Sequence, residues 1–299
     1  MEKKQTIGID LGGTKFHVGI VSEQNEIIGE TQRYSSRHAK SADELLDSLA
    51  NGVLETLDIN GKTLSDIGGV GIGSPGPLDP YSGKILNTLN LKVFRNFPLK
   101  RKLEKKLGIS VFVDNDANCF ALGEQRGGEA RGKKHVMAIT LGTGFGFALI
   151  INGEILHGAT GTATEIARIP YLDGEYEDFI SGRGLAKMYK NLSGKTKKPE
   201  DIGEGALHGD AFCIETFAEF GSHLAMTLVP LVSAFDPEIL VVGGSIAANW
   251  EYFSPALEET LRPYLFEPIR KNLIIAKSQL GECATIVGAA GLIHSKFSI

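Results

Sequence analysis

Apolar and polar positions along the chain fall into short blocks with two periods. TIGID, LGGTK and FHVGIVS read as strand, turn and strand, and EIIGETQRY continues as a third strand. ADELLDSLANGVLETL carries apolar residues at helical spacing, with Ser41 placed to cap its start. GGVGIGS is a short strand-like run closed by Pro75-Gly76-Pro77. PLKRKLEKKLG predicts a basic amphipathic helix stopped by Gly108, VFVDND a strand, and NCFALGEQR the start of another helix.

The pattern then restarts. HVMAITLGTGFGFALIINGEIL again reads strand, glycine turn and strand, with a hairpin turn at Asn152-Gly153. A long helical region follows over about 209–235. EILVVGG predicts a strand, ALEETLRPYLF a helix, NLIIAKS a strand and GAAGLIHSKF a closing helix. The strand–glycine turn–strand unit thus occurs twice, at Asp10 and at Thr140. This weak repeat suggests two related α/β halves with a cleft between them. The expected boundary gives a small N-terminal α/β domain over 1–118, completed by the C-terminal helix 288–299, and a large α/β domain over 119–287.

Composition narrows the function. The 299 residues carry 31 Lys+Arg against 36 Asp+Glu, a net charge of -5, which disfavours nucleic acid as the main partner. Cys119, Cys213 and Cys283 are far apart and form no CxxC pair, as expected of reduced thiols in a cytoplasmic protein. TFAEFGSHLAMTLVPLVSAF contains Glu219, His223 and Pro230, so a buried helix is expected there and no membrane partner. With 37 glycines, tight turns and loops that bring backbone close to a ligand are expected.

Several glycine loops compete as phosphate sites. GVGIGSPG fits G-x-G-x-x-G through Gly71, Gly73 and Gly76, but a dinucleotide site needs a helix there, and Pro75 and Pro77 make a loop instead. GKT at 194–196 lacks the first P-loop glycine, because Tyr189 stands in its place. IGIDLGGTK and ITLGTGFGF are better candidates: each is an apolar strand leading into glycines whose N–H groups can face an anion, with a Thr hydroxyl beside them. VVGGSIA, at 241–247, is a third such loop. Taken singly, the first two also admit the reading of ordinary hairpin turns, and the third that of a β–α turn.

Asp114-Asn115-Asp116 at a strand-to-helix junction is the densest polar cluster. A carboxylate there can orient an acceptor hydroxyl and take its proton, and a helix N-terminus favours its anion. Asn115 can both donate to and accept from a hydroxyl. On residue type alone, Asp116 reads first as a helix cap.

DLGGTK, GIGSPGPLD, DNDANCFALGE, LGTGFG and INGEILHGATG, in this order, resemble the ROK family of sugar kinases and repressors, within the actin/hexokinase-like ATPases. The resemblance spans nearly the whole chain and implies a two-domain actin/hexokinase-like, ribonuclease H-like α/β fold with an interdomain cleft. It implies ATP and Mg²⁺ as cofactors and a hexose as the substrate, most simply glucose. Asp10, Gly12, Gly13, Thr14 and Lys15, with Gly142, Thr143, Gly144 and Gly146, would then grip ATP phosphates. Gly243, Gly244 and Ser245 would lie by the adenosine, Asp10 would hold hydrated Mg²⁺, and Asp116 would be the catalytic base. Asn90, Asn115, Asp116, Glu165 and Glu177 would contact the sugar. A homodimer is implied by the resemblance alone.

The chain departs from the family pattern at one place. The family's G-E-x-G-H has become TEIAR, with Thr164, Ala167 and Arg168 in place of Gly, Gly and His. The family's cysteine-rich zinc segment is replaced by YLDGEYED, so no zinc site is expected. Arg168 is left to reach Glu165 or a sugar hydroxyl. Tyr171, Tyr176 and Phe179 are expected to hold the loop by packing. The alternatives are an N-acetylglucosamine, N-acetylmannosamine or fructose kinase, or a non-catalytic sugar-binding protein or repressor without its DNA-binding domain.

Overall fold

A computed structural model describes residues 5–88 and 91–295. They form two compact units, the first comprising Met1–Lys134, Ala148–Glu165 and Gln279–Ile299, the second His135–Phe147 and Ile166–Ser278. The expected division near residue 118 falls inside a helix of the first unit.

The first unit opens with β1 (Gln5–Leu11), β2 (Lys15–Val21) and β3 (Ile27–Ser35), then α1 (Ala42–Ile59), β4 (Ile67–Ser74) and the short pair β5 (Leu78–Asp79) and β6 (Lys84–Ile85). Next come α2 (Leu99–Leu107), β7 (Val111–Asn115) and α3 (Asp116–Gly127). The sheet order is β3-β2-β1-β4-β7. β1 pairs antiparallel with β2 and parallel with β4, and β4 pairs parallel with β7. Two helix ends follow the sequence signals: the Ser41 side chain accepts from the Glu44 N–H to start α1, and Gly108 closes α2 in the left-handed conformation with φ 73°.

The chain continues through β8 (Val136–Leu141), β9 (Phe145–Ile151) and β10 (Glu154–Ile155). β9 and β10 form the expected hairpin, with Asn152 and Gly153 both at positive φ, as a two-residue turn between twisted strands requires. The second unit then holds β11 (Pro170–Tyr171), β12 (Gly174–Glu175), α4 (Tyr176–Phe179), α5 (Gly182–Ser193), α6 (Pro199–Leu207) and α7 (Ala211–Phe235). β13 (Ile239–Gly243), α8 (Trp250–Leu261), α9 (Glu267–Asn272) and β14 (Ile274–Lys277) complete it. β13 runs parallel to both β8 and β14. By length and composition α7 could cross a membrane. Within its unit it buries Phe217, Phe220, Leu224 and Leu228, and Phe220 packs edge-on against Phe253 of α8.

The chain returns to the first unit in α10 (Cys283–Gly291), which begins earlier than the sequence pattern suggested. α10 packs on α3 and on the sheet through glycine. A Cβ at Gly8 or Gly71 would strike the α10 backbone carbonyls of Ile286 and Ala289, and one at Gly288 would strike Cys119 of α3. Gly8 and Gly71 therefore serve helix-to-sheet approach.

Candidate functional site

Register brings the first unit's polar residues to one end of its sheet. Asp10 pairs with Gly73, Gly73 with Asp114, and Ser74 with Asn115, so the C-terminal ends of three parallel strands converge. In open α/β sheets ligands bind at that end. Asn115 is the helix cap: its side chain accepts from the Ala117 N–H at 2.8 Å. Asp116 is the first residue of α3, and one of its oxygens also accepts from the Ala117 N–H, at 2.9 Å. The capping role thus lies with Asn115, leaving Asp116 half-buried, its other oxygen without a hydrogen-bond partner among the described residues.

Glu165 completes the cluster, its Oε1 accepting from Asn115 Nδ2 at 3.2 Å. A Cβ at Gly76 would collide with Glu165 and come within 3.0 Å of Asn115 Nδ2, so the SPGP loop lines the cluster with bare backbone. Thr164, where the family pattern has Gly, holds φ 76°, a conformation that costs a β-branched residue dearly. Asn90 lies outside the described residues.

Charge is crowded here. Burial pushes the Asp10 carboxyl up to about 7, Asp116 adds to the rise, Lys15 opposes it and Glu282 adds again. Burial also raises Asp116, against the pull of backbone N–H groups at the helix start. Glu165 is raised by desolvation and then by Asp116. Asp116 thus raises both Asp10 and Glu165. Sequence reasoning missed Glu282, which stands at the start of α10 and pairs with Arg33 and, at 3.8 Å, with Lys15.

Asp114 is 1% exposed and is held from three sides. Oδ1 accepts from the Asn115 N–H at 2.7 Å and from Asn118 Nδ2 at 2.9 Å, and Oδ2 lies 2.7 Å from His157 Nε2. This enclosure makes Asp114, near the end of β7, a brace for the residues that follow it. At the sequence level His157, in INGEILHGATG, reads only as a lone histidine near the segment that replaces the zinc loop, and one His makes no metal site.

In the first unit Gly12, Gly13 and Thr14 form the β1–β2 turn, closed by Gly12 N–H to Lys15 C=O at 2.9 Å. In the second unit Gly142, Thr143 and Gly144 link β8 to β9, closed by Gly142 N–H to Gly144 C=O at 3.0 Å, with Gly146 two residues on in β9. Gly243 pairs with Thr140, which sets the Gly244-Ser245 turn at the same strand ends as that loop. Gly244 has φ 86° and lies against the backbone of Leu141.

Glu177 lies on the Gly142–Gly144 loop: its Oε2 accepts from the Phe145 N–H at 3.1 Å, and Oε1 is 3.6 Å from Arg183 Nη2. Arg168 pairs with Glu175 at 3.6 Å, not with Glu165, and its side chain is 87% exposed. The segment in place of the family's zinc loop is held by rings. Tyr171 meets Tyr176, Phe179 and His223 edge-on, and its hydroxyl is 3.1 Å from His223 Nδ1. The expected aromatic packing is present, with His223 of α7 as a member that sequence reading missed.

The glucokinase of Thermotoga maritima is 32% identical over 320 residues, covering 99% of each chain. The N-acetyl-D-glucosamine kinase of Haemophilus influenzae is 29% identical over 310 residues, covering 97% of this chain and 99% of its own. The crystal structure of a ROK family glucokinase from Streptomyces griseus, in complex with glucose and AMPPNP, superposes with a TM-score of 0.83 at 30% identity, over 96% of this chain and 98% of that one. The ROK family match covers residues 6–296, and the chain belongs to the ROK family.

Proposed function

We propose that this chain is an ATP-dependent hexose kinase and that glucose is its first substrate to test. The observation that carries the reading is the Asn115–Glu165 hydrogen bond beside Asp116, whose carboxylate keeps an oxygen free at the start of a helix. Similarity to glucokinases and N-acetyl-D-glucosamine kinases supports it.

Asn115 and Glu165 supply both donors and acceptors, the set that fixes a sugar's hydroxyls. Asp116 accepts the proton of the acceptor hydroxyl as that oxygen bonds to the γ-phosphorus and the bond to ADP breaks. Phosphoryl transfer asks little covalent chemistry of the protein, so positioning and charge dominate. Asp10 would hold hydrated Mg²⁺, which neutralises charge on the phosphates when bound. The Gly12–Lys15 and Gly142–Gly146 turns would hold phosphates through backbone N–H groups, with Gly243–Ser245 by the adenosine.

The test is ADP release with Mg²⁺-ATP over glucose, N-acetylglucosamine, N-acetylmannosamine, mannose and fructose. Strong dependence on one hexose is expected, with slow hydrolysis in its absence. Equal ADP release with and without every sugar would sink the reading.

A further inference from the structure

The first unit also holds a cavity of about 560 Å³, with His157 among its lining residues. Its volume lies within the roughly 300–1,000 Å³ of small-molecule sites. The end of α3, the residues after it, the β9–β10 hairpin and the residues after α10 build its walls. Arg126, Lys133, Lys134 and Glu154 line it, while His157 and Tyr81 close one side.

Arg126 marks what the cavity accepts. Its Nε is enclosed with no hydrogen-bond partner, and its Nη2 reaches Ser295 Oγ at 3.4 Å. No carboxylate pairs with it among the described residues. Its guanidinium also lies against Gly291, where a Cβ would collide with it. A partly enclosed guanidinium without a counter-charge is costly unless an anion pairs with it. Desolvation lowers its pKa, and no neighbouring anion opposes that. A planar fork of donors, in a lining that also holds two lysines, matches the oxygens of a phosphate group.

We propose that this cavity binds a phosphate group, free or carried by a sugar, and that its occupancy reaches the acceptor residues through His157 and Asp114. His157 lines the cavity while its Nε2 meets Asp114 Oδ2. The other oxygen of Asp114 holds the Asn115 N–H. An anion that draws the His157 ring toward it therefore perturbs the network that sets Asn115. Binding at the cavity stands apart from the kinase reading; the coupling to sugar rests on it.

Calorimetry on the full chain tests both parts, with inorganic phosphate and glucose 6-phosphate as separate probes. Each is titrated with the acceptor and nucleotide sites saturated by glucose and a non-hydrolysable ATP analogue, so that only an additional site registers. Binding of either probe is expected, weakened at least tenfold in Lys133→Ala/Lys134→Ala. That double variant keeps the hydrogen bonds from Gln125 Nε2 and the Gly153 N–H to the two backbone carbonyls. The better probe tells free phosphate from a sugar phosphate. No additional binding, or binding unchanged in the double variant, overturns the site. Glucose titrated with and without the better probe should differ in affinity by about fivefold or more, the lower range of allosteric coupling. That difference should vanish in His157→Phe, which keeps a ring but loses the Asp114 contact. Probe binding without a change in glucose affinity overturns the coupling. Absence of turnover with every sugar overturns the kinase reading and leaves the probe titration intact.

Discussion

His157 Nε2 and Asp114 Oδ2 are 2.7 Å apart, with the carboxylate 1% exposed and the imidazole 14% exposed. A carboxylate accepts, so Nε2 carries the proton and the pair is a closed hydrogen bond inside the first unit. Together with the two donors to Oδ1, it turns the first residue of the DND cluster into a brace for the second.

Asp114→Asn should therefore act on stability first. The amide turns one acceptor into a donor and sets it against either His157 or the pair Asn115 N–H and Asn118. Leaving a buried donor unpaired costs about 1–3 kcal/mol. Urea unfolding should show that loss, with kcat within a few-fold of the parent. A fall in kcat as large as that of Asp116→Asn would place Asp114 in the chemistry.

Asp116→Asn should lose about 10² to 10⁴ in kcat, the usual worth of a general base. Asn keeps the size and one acceptor but cannot take the proton. Glucose affinity, read by calorimetry, should stay within several-fold. A variant with half the parental kcat would remove Asp116 from the mechanism.

The same substitution carries a pH signature. Burial raises the Asp116 pKa, so ionising it costs more in the folded chain than in the unfolded one. Below the ordinary aspartate value of about 3.9 the cost is absent. It grows as pH rises through the elevated folded value and is full above it. Ligand-free Asp116→Asn should thus melt higher than the parent at pH 8, by roughly 2–4 °C per kcal/mol, with the gap closing toward pH 4. A gap that widens on acidification would show that the folded protein favours the charged form.

Much of this was legible in the chain because local rules agreed with the fold. Ser41 and Gly108 end helices through their own chemistry, and Asn152-Gly153 dictates its turn. The α4–α6 region was not read as helical: Gly182, Gly184, Gly203 and Gly205 break the apolar period, and packing within the second unit restores the helices. The purpose of Gly8 and Gly71 was also hidden, because it depends on a helix more than two hundred residues later in sequence. His157, Glu282 and His223 escaped for the same reason, since each gains its role from a partner distant in the chain.

Gly244→Ala should damage the second unit. The residue sits at φ 86°, and a Cβ there would collide with the backbone of Leu141. Backbone cannot step aside as a flexible side chain would. The loss should exceed the ~1 kcal/mol typical of compatible Gly-to-Ala changes, with the sign reversed. A lower melting temperature and weaker binding of an ATP analogue are expected. Unchanged values for both would mean that the β13 turn relaxes freely and lies away from the nucleotide.

The segment between Gly161 and Gly184 contains no Cys and no His, so it lacks the ligands that a structural zinc site draws from close pairs in sequence. Its hold on the second unit runs through Tyr171, Phe179 and His223. Tyr171 crosses Phe179 at 89° with ring centroids 5.0 Å apart, and Phe179 meets His223 at 5.0 Å. The Tyr171 hydroxyl adds a hydrogen bond to His223 Nδ1, which anchors the β11–β12 hairpin on α7. Burial lowers the His223 pKa, with Glu219 opposing, which favours a neutral ring that can accept this bond near neutral pH. Tyr171→Phe should cost about 0.5–1.5 kcal/mol, the worth of one hydrogen bond, because the ring packing survives. Phe179→Ala should cost more, about 3–5 kcal/mol, because it empties the centre of the cluster. Chelator should change neither the melting temperature nor the turnover beyond its removal of Mg²⁺, which added Mg²⁺ restores. Metal analysis of protein purified without a His-tag checks the point directly: stoichiometric zinc, lost to chelator together with this segment's protection from proteolysis, would show that metal and not aromatic packing holds the loop.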